Sequence, residues 1–219
     1  MLGFGSAVNR NFDEAWGALS GLKFAMDKAL CIEIITGSGI PLGDKIRATF
    51  FSDTVFLFTP SDTDDDLIAI LISASQLFSN ALAKCVPLRG GIAHGKFCMD
   101  PRNGLFMGQS LVNAHTIGEG AQWLGIVVDK IIAEKAHKTV LKNYVVEWNV
   151  PQKNGDNKPL KVLNWPKAFA HGFKKKPPIT ISDFYMAFER MFGPYGNLPS
   201  SVQLKYENTV KFINKHLPI

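Results

Sequence analysis

Apolar residues recur along this chain with two different periods, and their alternation sets out the secondary structure. Phe12, Trp16, Leu19, Leu22, Phe24, Ala25 and Leu30 approximate a helical stripe, so a helix is expected from Phe12, opened by the polar turn Asn9-Arg10-Asn11. It should stop before Thr36-Gly37-Ser38-Gly39. That loop continues to Gly43 without the Lys-Ser/Thr ending of a P-loop, so it reads as a mobile connection. Phe50, Phe51, Val55, Leu57 and Phe58 then describe two short, mostly buried strands, interrupted by the tight turn Ser52-Asp53-Thr54.

The acidic run from Ser61 to Asp66 precedes a long apolar segment ending near Cys85. Acidic residues at a helix start offset the positive dipole end and cap free amides, so this cluster reads as capping ahead of the alternative, a second metal site. Residues 86–99 give strand, glycine-assisted bend and strand, Asn103-Gly104 a turn, and Gly108 opens a helix to about Gln122. A buried strand at 126–128 and a short helix at 130–137 follow. Strands are expected at 144–148 and 160–165 around a polar loop at 152–158, then helices at 182–191 and 200–216. The whole describes an α+β fold, a sheet with helices packed on it.

Composition narrows the possibilities. With 219 residues, 46% hydrophobic and 20% charged, the chain reads as a globular domain with a sizeable core. The net charge of +5 comes partly from Lys174-Lys175-Lys176, a solvated run with no interleaved aromatics, so nucleic acid is not an expected partner. Cys31, Cys85 and Cys98 are odd in number and far apart, which argues against a disulfide framework. Polar residues break the longest apolar run, so no membrane span is expected. A cytoplasmic location fits all of this.

Asp53 sits at the tip of an apolar hairpin. It reads either as an acid used for turn chemistry or as a carboxylate held on a rigid hairpin to bind a divalent metal. Three segments together resemble the catalytic domain of class III nucleotidyl cyclases, the adenylate and guanylate cyclase family, and most of all its divergent bacterial members. They are the Ser52-Asp53 turn, the strand Leu88-Arg89-Gly90-Gly91-Ile92-Ala93-His94-Gly95, and Met107-Gly108-Gln109-Ser110-Leu111-Val112-Asn113-Ala114 leading into Trp123-Leu124-Gly125-Ile126-Val127-Val128. The resemblance implies a ferredoxin-like cyclase sandwich with a mixed or antiparallel sheet. Residues 1–140 would form the cyclase-like domain, and 141–219 a C-terminal extension of strands and helices packed on it.

The same resemblance implies roles. Asp53 would hold Mg²⁺ or Mn²⁺. Leu2, Gly3, Phe4 and Gly5 match the latter half of the family's Asp-x-x-Gly-Phe turn, whose amides hold a triphosphate. The family's second metal-binding Asp would fall just before Leu2, so the chain either begins inside its first strand or has lost that ligand. Thr49 stands where purine cyclases carry a base-reading Lys. Val112 and Thr116 occupy the positions of the transition-state Asn and Arg, leaving Asn113, one residue displaced, and Arg89 or His115 as substitutes.

Cyclisation joins a ribose 3′ oxygen to the α-phosphorus of a nucleoside triphosphate and releases pyrophosphate, with two metal ions activating the nucleophile and neutralising charge. The family works as a homodimer. Three expectations follow: an active cyclase, a cyclase-like dimer that binds nucleotide without turnover, or an interaction domain with only the architecture in common.

Overall fold

The computed structural model describes residues 1, 3–34 and 39–217. Leu2 and the Thr36-Gly37-Ser38 part of the glycine loop lie outside them. The chain is α+β, and α3 (Asp64–Ala83) runs through its centre. Thr63 begins this helix with a capping box: its hydroxyl accepts the Asp66 amide, and the Asp66 carboxylate accepts the Thr63 amide. The acidic cluster thus does cap a helix. α3 is long and apolar enough by composition to cross a membrane, yet 67% of its apolar 18-residue stretch is buried inside the protein. Leu71, Phe78 and Ala81 have almost no exposure, so its apolar residues form the core.

Helices α1 (Phe4–Arg10) and α2 (Phe12–Leu30) cover one side of α3. Asn11 separates them and caps α2 by accepting the Glu14 amide at 3.2 Å. Residues 2–5 were expected to form a turn at a helix start; Gly3, at φ 72, does precede α1. Beyond the glycine loop, Leu42 is fully buried in a small cluster with Ile32 and Ala69, and its amide donates to Ile34 at 2.8 Å. This part of the connection is therefore packed, because an apolar side chain pins it.

β1 (Arg47–Phe51) and β2 (Thr54–Phe58) form an antiparallel hairpin with Ser52 at φ 52 in its two-residue turn. The expectation of mostly buried strands is corrected: both are half-buried, and Phe51 is 78% exposed. Only one face of the hairpin rests on helices, through Ala48, Phe50, Val55 and Leu57.

The main sheet has the order β3-β6-β8-β7, comprising β3 (Gly90–Ile92), β6 (Ile126–Val128), β7 (Val145–Pro151) and β8 (Asn157–Leu163). β3 and β6 are parallel and the remaining pairs antiparallel. A separate ribbon of β4 (Phe97–Asp100) and β5 (Leu105–Gly108) leads into α4 (Gln109–Gly120). α4 lies tight on β3: a Cβ at Gly91 would stand 2.2 Å from the Ala114 carbonyl, and one at Gly118 2.6 Å from the Gly90 carbonyl carbon. These two glycines set the helix-to-strand distance.

α5 (Lys130–Ala136) follows β6, and Asp129 caps it. Four helices close the chain: α6 (Trp165–Phe173), α7 (Ile181–Met186), α8 (Glu189–Phe192) and α9 (Ser200–His216). α6 begins where a strand was expected to continue, because Asn164 and Pro166 suit a helix start better than a ladder. The single helix expected at 182–191 is broken between α7 and α8. Phe212 of α9 packs edge-on to Trp123 at 4.7 Å and contacts Trp148 at 5.5 Å. Residues from 67 to 213 therefore share one core, and the C-terminal third is part of it.

Candidate functional site

A cavity of about 900 Å³ opens between β2 and β3, with α3 beneath it and α4 beside it. Its size suits a small-molecule ligand. Met1, Asp53, Arg89 and Glu119 line one end, and Asp62, Asp66, His94 and Lys135 line the other.

At the first end the hairpin turn presents Asp53 with a partly exposed side chain. The Met1 amino group donates to the Asp53 carbonyl at 2.6 Å and lies 3.4 Å from its Oδ2. Burial pushes that amino group below its ordinary pKa, against the opposing pull of the Asp53 carboxylate. Arg89, just before β3, pairs with Glu119 of α4 and donates to the Ala121 carbonyl at 3.3 Å. Its buried Nε has no partner. Glu119 also meets Lys153 at 3.1 Å. Burial acts to raise the Glu119 pKa, but bonds from Lys153 and Arg89 outweigh it and hold the carboxyl below its usual range.

At the second end Asp66 is 1% exposed. Its Oδ2 accepts from Ser61 and Thr63, while Oδ1 has no partner. His94 and Lys135 both reach Asp62, at 3.3 and 3.4 Å. The His94 amide donates to the Asp129 carboxylate at 2.6 Å. Bonds from His94 and then Lys135 lower the Asp62 pKa. Asp62 and Asp66 stand together in one acidic run of the sequence, but His94 and Lys135 are far from it along the chain. A carboxylate three residues after a Thr is explained by capping alone, and the approach of His94 and Lys135 to Asp62 needs the tertiary fold.

The structure thus brings Asp53 and Arg89 to one end of one cavity. Other expected site residues stand elsewhere. Asn113 is exposed on α4, accepts from Gln109 at 2.8 Å, and is not among the lining residues. Thr49 pairs with Phe56 in mid-hairpin and does not line the cavity either. Gly3 lies against the Phe192 ring of α8; Gly3, Phe4 and Gly5 are outside the lining, and Leu2 is outside the described residues.

Asp53 offers hard carboxylate oxygens suited to a divalent ion. No group of three or more metal-ligating side chains occurs among the described residues. That donor set fits an ion which arrives with a phosphate ligand, since Mg²⁺ is commonly held by one or two carboxylates plus substrate phosphates and water. Compared with known proteins, the chain matches no family model, no curated protein and no solved structure.

Proposed function

We propose that this chain is a cyclase-type nucleotide domain with a ferredoxin-like sandwich, binding a nucleoside triphosphate with Mg²⁺ or Mn²⁺ and acting as a homodimer in the cytoplasm. The observation that carries the reading is the meeting of Asp53 and Arg89 at one end of a ligand-sized cavity, from elements 36 residues apart in the chain. Asp53 would hold the ion, which neutralises phosphate charge and makes the ribose hydroxyl a better nucleophile. Arg89 offers a planar cation for phosphate oxygens. It reaches them only by leaving Glu119, whose charge Lys153 continues to balance. The reaction forms a bond from the 3′ oxygen to the α-phosphorus, breaks the α–β phosphoanhydride bond and releases pyrophosphate; the hydroxyl proton passes to solvent.

Asn113 faces outward beside exposed Val112, and the neighbouring ribbon exposes Met99, Leu105 and Met107. An apolar surface of this kind supports a dimer across α4 and the β4–β5 ribbon, where Asn113 would serve a site shared by two copies. A second reading, nucleotide binding without turnover, is favoured by one observation: Asp53 and Arg89 are both already paired within the chain.

Manganese-dependent pyrophosphate release from each of the four common nucleoside triphosphates tests the proposal, with Asp53→Ala as the control. Turnover lost in that variant supports a cyclase. Thermal stabilisation by nucleotide without turnover supports the binding reading. Neither response leaves an interaction domain.

A further inference from the structure

Charge is divided unevenly along this chain. From Lys130 onward it holds fifteen Lys and Arg against six Asp and Glu, whereas residues 1–129 hold nine against thirteen. Several of the later lysines are neutralised: Lys130 by Glu134, Lys153 by Glu119, Lys158 by Asp156 and Lys161 by Glu147. Six others gather on α6, on α9 and on the loop between α6 and α7. None of these six makes an ion pair among the described residues.

Lys167, His171 and Lys174 recur every three to four residues, on the exposed side of α6 and its C-cap, while Trp165 and Phe169 turn to the core. Lys175 and Lys176 carry the charge into the loop ahead of Pro177, and both are exposed. Lys211 and Lys215 stand one turn apart on the exposed side of α9. Two contacts join these pieces into one face. The Asn214 side-chain amide donates to the Ile179 carbonyl at 3.0 Å, which ties the loop to α9 beside Lys215. Trp165 of α6 lies 6.3 Å from Phe212 of α9. The acid that follows the loop, Asp183, is engaged at the start of α7, where it accepts the Thr180 hydroxyl at 2.8 Å.

We propose that this α6–α9 face docks on an anionic lipid surface. Six like charges without counter-charges repel one another, and a partner of opposite sign relieves that repulsion. Two further observations select lipid among polyanions. A single-stranded nucleic acid would need aromatic rings free to stack on bases, yet the Lys215 ammonium lies over the Trp148 ring, 5.3 Å from its centroid. What the face exposes among its lysines is aliphatic: Ile179, three residues from Lys176, is 50% exposed. Such a side chain enters the boundary between headgroups and acyl chains, and the long lysine stems reach the phosphates around it. Each lysine held near an anionic bilayer strengthens binding about fivefold.

The proposal does not rest on the nucleotide reading and is tested without nucleotide. Co-sedimentation of the full chain with vesicles at about 0.1 M salt measures it. Vesicles of phosphatidylcholine with about 30% phosphatidylserine should bind about tenfold more tightly than phosphatidylcholine alone, and about 0.5 M salt should abolish the difference. Lys175→Gln, Lys176→Gln and Lys211→Gln together should weaken binding by about a hundredfold. Lys28→Gln, Lys84→Gln and Arg102→Gln, which remove the same charge from the first 129 residues, should change it less than about threefold. Ile179→Ser should weaken binding about threefold with its salt dependence unchanged. Equal binding to the two kinds of vesicle overturns the proposal and needs no variant. Equal losses in the two triple variants would reduce the binding to net charge and overturn it too. So would a duplex or single-stranded oligonucleotide that binds more tightly than the phosphatidylserine vesicles.

Discussion

The Met1 amino group and Asp53 meet at 2.6 Å through the Asp53 carbonyl and at 3.4 Å through its carboxylate, across 52 positions of sequence. The turn residue therefore holds the N-terminal segment with its backbone and keeps its side chain at the cavity. The two roles are separable by mutation, because only the second requires a carboxylate.

Asp53→Asn should leave the fold nearly as stable as before, within about 1 kcal/mol by denaturant unfolding, since a partly exposed ion pair contributes little and the carbonyl acceptor remains. The same variant should lose manganese-dependent nucleotide binding, read as the loss of a nucleotide-induced shift in Tm. Large destabilisation with binding retained would make Asp53 a structural turn residue.

Phe212→Ala should cost about 3–5 kcal/mol, because the ring fills space between Trp123, Trp148 and Trp165 and nothing nearby can collapse into it. For a domain of this size the corresponding fall in Tm is about 6–20 °C. Nearby, Thr209 accepts the Leu124 amide at 2.8 Å and Asn208 donates to the Gln122 carbonyl at 2.9 Å. Through residues 121–124 α9 thus supports the Ala121 carbonyl that Arg89 uses. A small Tm change would show that the C-terminal helix is peripheral to the core.

The elements with strong local signals were legible in the sequence. α2, α9 and the capped start of α3 follow from periodicity and from Asn11 and Thr63, which act within a few residues of themselves. The Ser52-Asp53 turn and the β3 and β6 strands were legible for the same reason. α1 and α6 were not: seven and nine residues carry too few turns for a clear stripe, and packing on Phe192 and α3 decides them. The site divided similarly. Asp53 stood out as a charge in apolar surroundings and Arg89 through the family resemblance of its strand, whereas Asp66, His94 and Lys135 are joined only by the tertiary fold. Asn113 was placed by register along α4, which says nothing about which way its face turns.

Leu105→Lys and Met107→Lys together should leave Tm within about 2 °C, because both side chains are more than half exposed and support no core. If the β4–β5 ribbon is the dimer contact, the double variant should elute as a monomer where the parent elutes as a dimer. Light scattering on both proteins at matched concentration reads the difference. A parent that is monomeric throughout would remove the ribbon from the interface.

His216 provides a pH test of the aromatic core. Its ring lies 4.6 Å from Phe212 and 6.0 Å from Trp148, and its buried Nε2 has no partner. Burial, and then the charge of Lys215, push its pKa below the ordinary histidine value. Folding therefore favours the neutral ring, and between the lowered value and the unfolded value of about 6.5 the unfolded chain binds more protons. Stability contributed here is complete above about pH 6.5 and declines as pH falls through that window. His216→Phe, which keeps an aromatic ring and removes the titration, should flatten this part of the stability profile. Denaturant midpoints taken from pH 7.5 down to 5 on both proteins measure it, and parallel profiles would show that the ring is solvated enough to accept its proton without cost.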